Sequence, residues 1–246
     1  MDTISPILLG EMDSIKLMNR IDSKFLTTEA TLVHVLEDAS ARGYRALETE
    51  GTKISAYDTL YYDTPGLQMF LDHHNRRLVR QKVRTRTYVG SGQTFLEIKR
   101  KNNHGRTKKK RIEVNDMDLH DEEKRLFIEQ HLHFDVDKLI PHMHNHFHRI
   151  TLVNRAKTER LTIDTDLQFH NVQTDTDRHM GDLVIIELKR DGLVYSPVLE
   201  MLRQLRIHPH GFSKYCMGAA MTNDSLPVNL FKTKLRDVEK ILKEAI

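Results

Sequence analysis

From Arg80 to Val89 the chain alternates without a break. Arg80, Lys82, Arg84, Arg86 and Tyr88 fall on one phase, and Gln81, Val83, Thr85, Thr87 and Val89 on the other. Side chains two apart on a strand share a face, so this pattern predicts a strand with one cationic side. Two more alternating runs follow. Thr94–Lys101 sets Glu97, Lys99 and Lys101 against Leu96 and Ile98, and Thr107–Val114 sets Lys109, Arg111 and Glu113 against Ile112 and Val114. Gly90-Ser91-Gly92 and Asn102-Asn103-His104-Gly105 separate the three runs as turns, so consecutive antiparallel strands are expected. Further on, Arg160, Thr162, Asp164 and Asp166 oppose Leu161, Ile163 and Leu167, and Glu187 and Lys189 oppose Val184, Ile186 and Leu188.

A solvated outer face accounts for mixed Lys, Glu and Thr. It accounts less well for Lys82, Arg84 and Arg86, whose like charges repel. Closing such strands into a barrel turns the charges inward, where a slender polyanion such as a phosphate chain neutralises them. Glu97 and Glu187 then pair with the cations or hold Mg2+ or Mn2+, which favour carboxylate and phosphate oxygens.

The whole chain has 246 residues and a formal charge of only +3, so the position of the charges matters more than their sum. No linker-like composition interrupts it, and one domain over residues 1–246 is expected. The one cysteine, Cys216, excludes a disulfide scaffold and reads as a small core residue. No signal-like start and no apolar run of ~18 residues is present, and the expectation is a cytoplasmic protein with no membrane segment of its own. Helices are expected over Thr28–Ala41, Asp121–Leu132, Ser196–Leu205 and an amphipathic segment over residues 229–246. Strands are also expected over Ile54–Tyr62, Leu183–Arg190 and within Thr151–Asp166. His73-His74 reads as turn surface. His142, His144, His146 and His148 read as a polar surface stretch, because sequence-adjacent acids and cysteines that would complete a metal site are missing.

The ordered motifs resemble the VTC-type polyphosphate polymerase domain of the CYTH-like triphosphate tunnel metalloenzymes. They are Arg20-Ile-Asp-Ser-Lys24-Phe, Tyr61-Tyr-Asp-Thr, Lys82-Val-Arg84-Thr-Arg86-Thr-Tyr88, Phe95-Leu-Glu97-Ile-Lys99-Arg, Lys109-Lys-Arg111, Arg160-Leu-Thr-Ile-Asp164, Ile186-Glu187-Leu-Lys189 and Ser213-Lys214-Tyr215. The resemblance covers about Met18 to Gly218 and implies an α+β fold, an eight-stranded antiparallel β-barrel tunnel with flanking helices. It implies catalytic roles for Arg84, Arg86, Lys99 and Arg160, and a metal, Mn2+ or Mg2+, on Glu187 and Glu97. Phosphate contacts are then expected from Arg20, Lys24, Lys82, Lys109, Arg111, Arg155, Lys189 and Lys214. Hydrolytic relatives carry Glu-x-Glu-x-Lys where this chain has Arg20-Ile21-Asp22-Ser23-Lys24, which resembles the polymerase branch.

The expected reaction moves the γ-phosphoryl group of ATP to a growing inorganic polyphosphate chain by positioning and charge stabilisation. The alternatives are a metal-dependent tripolyphosphate or nucleoside triphosphate phosphohydrolase and a non-catalytic polyphosphate-binding module. Inward acids and few tyrosines argue against a nucleic-acid partner. Delivery of product across a membrane would need a membrane partner.

Overall fold

The computed structural model describes residues 1, 3–12 and 20–244, the side chains of Arg20 and Glu244 excepted. The alternating segments are strands. In chain order the strands are β1 (Pro6–Leu8), β2 (Arg20–Thr28), β3 (Arg45–Glu48), β4 (Ser55–Asp63), β5 (Arg80–Tyr88), β6 (Thr94–Lys101), β7 (Thr107–Val114), β8 (Ile140–Val153), β9 (Glu159–Asn171), β10 (Thr176–His179) and β11 (Leu183–Asp191). The helices are α1 (Leu9–Met12), α2 (Glu29–Ala41), α3 (Gln68–His74), α4 (Glu122–His131), α5 (Pro197–Gln204), α6 (Lys214–Thr222) and α7 (Lys232–Glu244).

One sheet holds all the strands. Its main path runs β2-β11-β9-β8-β4-β5-β6-β7, every neighbouring pair antiparallel, with β1, β3 and β10 attached off that path. The register puts Arg84 opposite Glu97 and Glu97 opposite Arg111, so the charged phases of β5, β6 and β7 share a face.

The expected closed eight-stranded barrel is corrected here. Among the described residues there are eleven strands, and no pairing joins β2 to β7. The outer edge of β2 is already taken: Phe25 bridges Pro209, and the His210 amide donates to the Lys24 carbonyl at 2.7 Å. A strand edge offers one row of backbone groups, so β2 has none left here for β7.

Helices cover the apolar phases. Phe25, Ile163, Val184, Ile186 and Leu188 pack against Leu32, Val35 and Ala39 of α2 and Val198, Met201 and Leu202 of α5. Val83, Leu96, Ile98 and Val114 pack against Phe127 and Ile128 of α4. Side-chain caps start these helices: Thr28 accepts from the Thr31 amide, Asp121 from Lys124, Ser196 from Leu199 and Ser213 from Cys216. On the inward phase, α6 fills one end of the curl through Tyr215, Cys216, Ala219 and Ala220, packed with Phe147, Leu167 and Phe169. Cys216 is buried, as its reading as a core residue requires.

Other expectations shift. Thr151–Asp166 covers the end of β8 and most of β9, and the histidine stretch lies inside β8, where His142 is buried and His144, His146 and His148 are half-buried rather than a surface run. His73 and His74 belong to α3, and His74 is buried beside Phe70 and Phe231. The C-terminal helix begins at Lys232 after a short 3-10 turn over Asn229–Phe231, and residues 245–246 lie outside the described residues. Asp166 does not continue the inward row of Arg160, Thr162 and Asp164. Its φ of 48° marks a bulge where the β8–β9 register slips, and Leu167 and Phe169 take the inward phase after it.

Gly218 of α6 faces the Phe169 ring. A Cβ built there would lie 2.6 Å from the ring edge. Phe169 is fully enclosed, so it cannot swing aside. Gly218→Ala should lower the unfolding free energy by about 1–3 kcal/mol, read by urea denaturation.

Candidate functional site

The inward phases of all eight strands of the main path meet one cavity of about 700 Å3. Among the described residues, thirteen Lys and Arg side chains and four carboxylates line it. A chain of net charge +3 thus places thirteen cations against four carboxylates on one concave surface.

The carboxylates are not spread evenly among these cations. Glu97, 0 % exposed, accepts from Arg84 Nε at 2.8 Å and Nη2 at 2.6 Å, and Lys109 pairs with its other oxygen. Burial works against its ionisation, but Arg84, Arg86 and Lys109 hold the carboxyl well below the usual range. Asp164 accepts from Arg149 Nε at 2.6 Å and Nη2 at 2.8 Å, and Lys214 shares its Oδ2. Glu187 is different. Its Oε2 meets Lys189 at 2.9 Å and its side chain is 23 % exposed. Burial again opposes ionisation, and Lys189, Lys24 and Arg149 again lower the pKa.

Other cations have no acid beside them. Arg86 donates to Thr59 Oγ1 at 3.1 Å and lies over the Tyr57 and Phe147 rings. No carboxylate pairs with it among the described residues. Burial, Arg84 and Arg149 push its pKa down to about 10. Lys99 likewise has no ion-pair partner among the described residues, and repulsion from Arg84, burial and Arg86 drive its pKa well down. Lys82 donates to Ser213 Oγ at 2.7 Å, and Lys24 to the Phe212 carbonyl at 2.9 Å. Lys214 is pushed down to about 7, chiefly by burial.

Arg84, Arg86, Lys99, Arg160, Lys24, Lys82, Lys109, Arg111, Lys189, Lys214, Glu187 and Glu97 thus all line this cavity. Arg155 does not join them. It lies exposed in the turn between β8 and β9, because the inward phase of β8 ends before it. Arg20 opens β2 opposite Asp191, and its side chain lies outside the described residues. Glu97 was expected to share the metal with Glu187, and here its two oxygens face Arg84 and Lys109. Glu187 lines the cavity paired with Lys189, and a single carboxylate completed by phosphate oxygens and water suits Mg2+ or Mn2+.

Sequence reading missed Arg149. The signal was its spacing, two after Phe147 and two before Thr151, but the strand was expected to begin at Thr151. Asp164 stood in a charged row without a role, and here it anchors Arg149 and Lys214.

A model of the VTC domain family matches residues 19–223. The chain belongs to the VTC domain family. No curated protein matches it. Among solved structures, this VTC domain is similar to a putative adenylyl cyclase from Hippeastrum described as having a dominant triphosphatase activity. That match has a TM-score of 0.53 and 14% identity, and covers 85% of this chain and 99% of that one. It is also similar to a putative adenylate cyclase from Vibrio parahaemolyticus, with a TM-score of 0.49, 8% identity and coverage of 83% and 100%. At such identities the likeness concerns the fold. An antiparallel sheet with flanking helices is therefore a fold that this VTC domain shares with the Hippeastrum structure. No helix among the described residues is long and apolar enough to cross a membrane.

The Arg84–Glu97–Lys109 clamp should dominate the stability of the VTC domain. Replacing Glu97 by Gln leaves two buried or half-buried cations uncompensated, and should cost about 3–5 kcal/mol in urea denaturation. Because the folded carboxyl titrates below its ordinary value of 4.5, its contribution is full above that pH and is lost as pH falls below it. Glu97→Gln should accordingly flatten the acid limb of the stability profile.

Proposed function

We propose that this VTC domain binds ATP and inorganic polyphosphate in the basic cavity and transfers the γ-phosphoryl group of ATP to the end of the polyphosphate chain. The observation that carries this reading is the excess of thirteen cations over four carboxylates in one cavity, with Arg86 and Lys99 buried and lacking an acid partner. Such groups sit at a cost that a bound polyanion removes.

Roles follow from partners. Arg86, Lys99, Arg160 and Lys82 grip the transferring and neighbouring phosphates, and Arg84 acts from a position locked by Glu97 and Tyr61. Lys24, Lys189 and Lys214 extend the grip towards the β2 side, and Lys109 and Arg111 towards β7. Glu187 would hold Mn2+ or Mg2+, which would supply positive charge to offset the charge developing on the phosphoryl group. In the transfer, a terminal phosphate oxygen of the acceptor attacks the γ-phosphorus, and the bond from that phosphorus to the β-bridging oxygen breaks, releasing ADP. The acceptor oxygen is already anionic at neutral pH, so no general base is needed.

This last point favours transfer over hydrolysis. Water would need activation, yet Glu97 and Asp164 are held at both oxygens by cations, and Glu187 is taken up by the proposed metal. A buried single cysteine fits a reducing compartment such as the cytoplasm.

Incubation with ATP and Mn2+ should yield long polyphosphate, resolved by gel electrophoresis. Free phosphate as the main product would replace the polymerase reading with the triphosphatase one, and tight anion binding without turnover would leave a binding module. Arg86→Ala should lower kcat/KM by ~30–1000-fold, the ~2–4 kcal/mol of a lost charge-stabilising donor. Unlike Arg84→Ala, it leaves no carboxylate stranded.

Lys214 gives a pH signature. Its protonated fraction falls as pH rises through about 7, and a bound anion favours the protonated form. Affinity for tripolyphosphate should therefore fall between pH 6 and pH 8. Calorimetry in buffers of different ionisation enthalpy should show proton uptake at pH 8, absent in Lys214→Gln.

A further inference from the structure

The face of β8 turned away from the cavity carries His144, His146 and His148. The acids that the local sequence lacks come from neighbouring strands. Asp58 of β4 stands opposite His146, with its Oδ1 at 3.0 Å from His146 Nδ1 and 3.6 Å from His144 Nε2. On the other side, the bulge in β9 turns Asp166 outward, and its Oδ2 lies 3.2 Å from His148 Nδ1. Ligand atoms of His146, His148 and Asp166 all lie within 4.8 Å of one another. His179 of β10 reaches the remaining Asp166 oxygen at 3.8 Å.

We propose that His146, His148 and Asp166 form a metal site on the outer wall, separate from the cavity, for a first-row divalent cation of the Zn2+ type. Two imidazoles and a carboxylate are the donors that Zn2+ takes and Mg2+ does not. Ligands ~2.0–2.1 Å from a tetrahedral ion stand ~3.3 Å apart, and the His148–Asp166 separation of 3.2 Å already meets this. The ring planes of His146 and His148 are 88° apart with centroids 5.4 Å from each other, so the two rings can approach one ion without stacking. Asp58 holds Nδ1 of His146, orienting that ring as carboxylates orient metal-bound histidines. The three residues are half-buried, which leaves water access for loading. The ion would tie β8 to β9 across the bulge, at the point where the inward phase changes from Asp164 to Leu167.

The test uses the chelator-treated full chain with Zn2+ alone, in millimolar Mg2+ to saturate hard-oxygen sites. One Zn2+ per chain should bind and raise the Tm. His146→Ala/His148→Ala should weaken that binding at least ~10-fold and abolish the Tm rise. His34→Ala on α2, an exposed histidine away from the cluster, and Glu187→Gln in the cavity should change neither. Circular dichroism reports folding of each variant. Should the double variant not fold, Asp166→Asn and the visible spectrum of Co2+ take its place. Wild type should give the intense bands of four- or five-coordinate Co2+, weakened in Asp166→Asn. Zn2+ uptake unchanged in the folded histidine variant, uptake lost in Glu187→Gln, or a Co2+ spectrum of the free aqua ion would each overturn the site.

Discussion

The structure depends on one electrostatic constraint: cations converge inside a curled sheet, and a few buried carboxylates decide how tightly. Glu97 is the centre of this. It joins β5 to β7 through Arg84 and Lys109 while sitting on β6 between them. Asp164 does the same for β8 and α6 through Arg149 and Lys214. These acids divide the cations into two classes. Arg84, Arg149, Lys109 and Lys214 are partly neutralised and fixed in place. Arg86 and Lys99 are fixed by packing and by a hydroxyl or nothing charged, so burial and the neighbouring guanidinium groups lower the pKa of each, with no acid paired to either among the described residues.

That division was not legible in the sequence. Period-2 alternation recovered Thr94–Lys101 and Thr107–Val114 without error, and Arg80–Val89 to within one residue, because alternation is a local property. It also put nearly every cavity cation on the right phase. What it could not give was pairing between residues far apart in the chain. Nothing near Glu97 says whether its oxygens face a metal or Arg84 and Lys109. Nothing near Phe25 says that Pro209 takes its edge. Arg149 was lost for a related reason, since a proline and four histidines from Pro141 to His148 hid a long strand. Asp166 shows the limit of the rule itself: one left-handed residue reverses the phase of everything after it.

The wall has two sides with different donor chemistry. Inside, carboxylates are scarce and engaged, and oxygen from a ligand is the missing partner. Outside, at the β8–β9 bulge, imidazoles and carboxylates meet. The same strand thus serves both through its two phases, with Phe147 and Arg149 inward and His146 and His148 outward.

Because Pro209 and His210 occupy the edge of β2, the curl ends in a seam beside β7. Elsewhere the wall is held by a ladder of backbone hydrogen bonds, whose spacing is fixed near 4.8 Å per strand. Across the seam no such spacing applies. The cavity is thus bounded by backbone ladders around most of its girth, and along the edge of β2 by the Pro209–His210 segment instead.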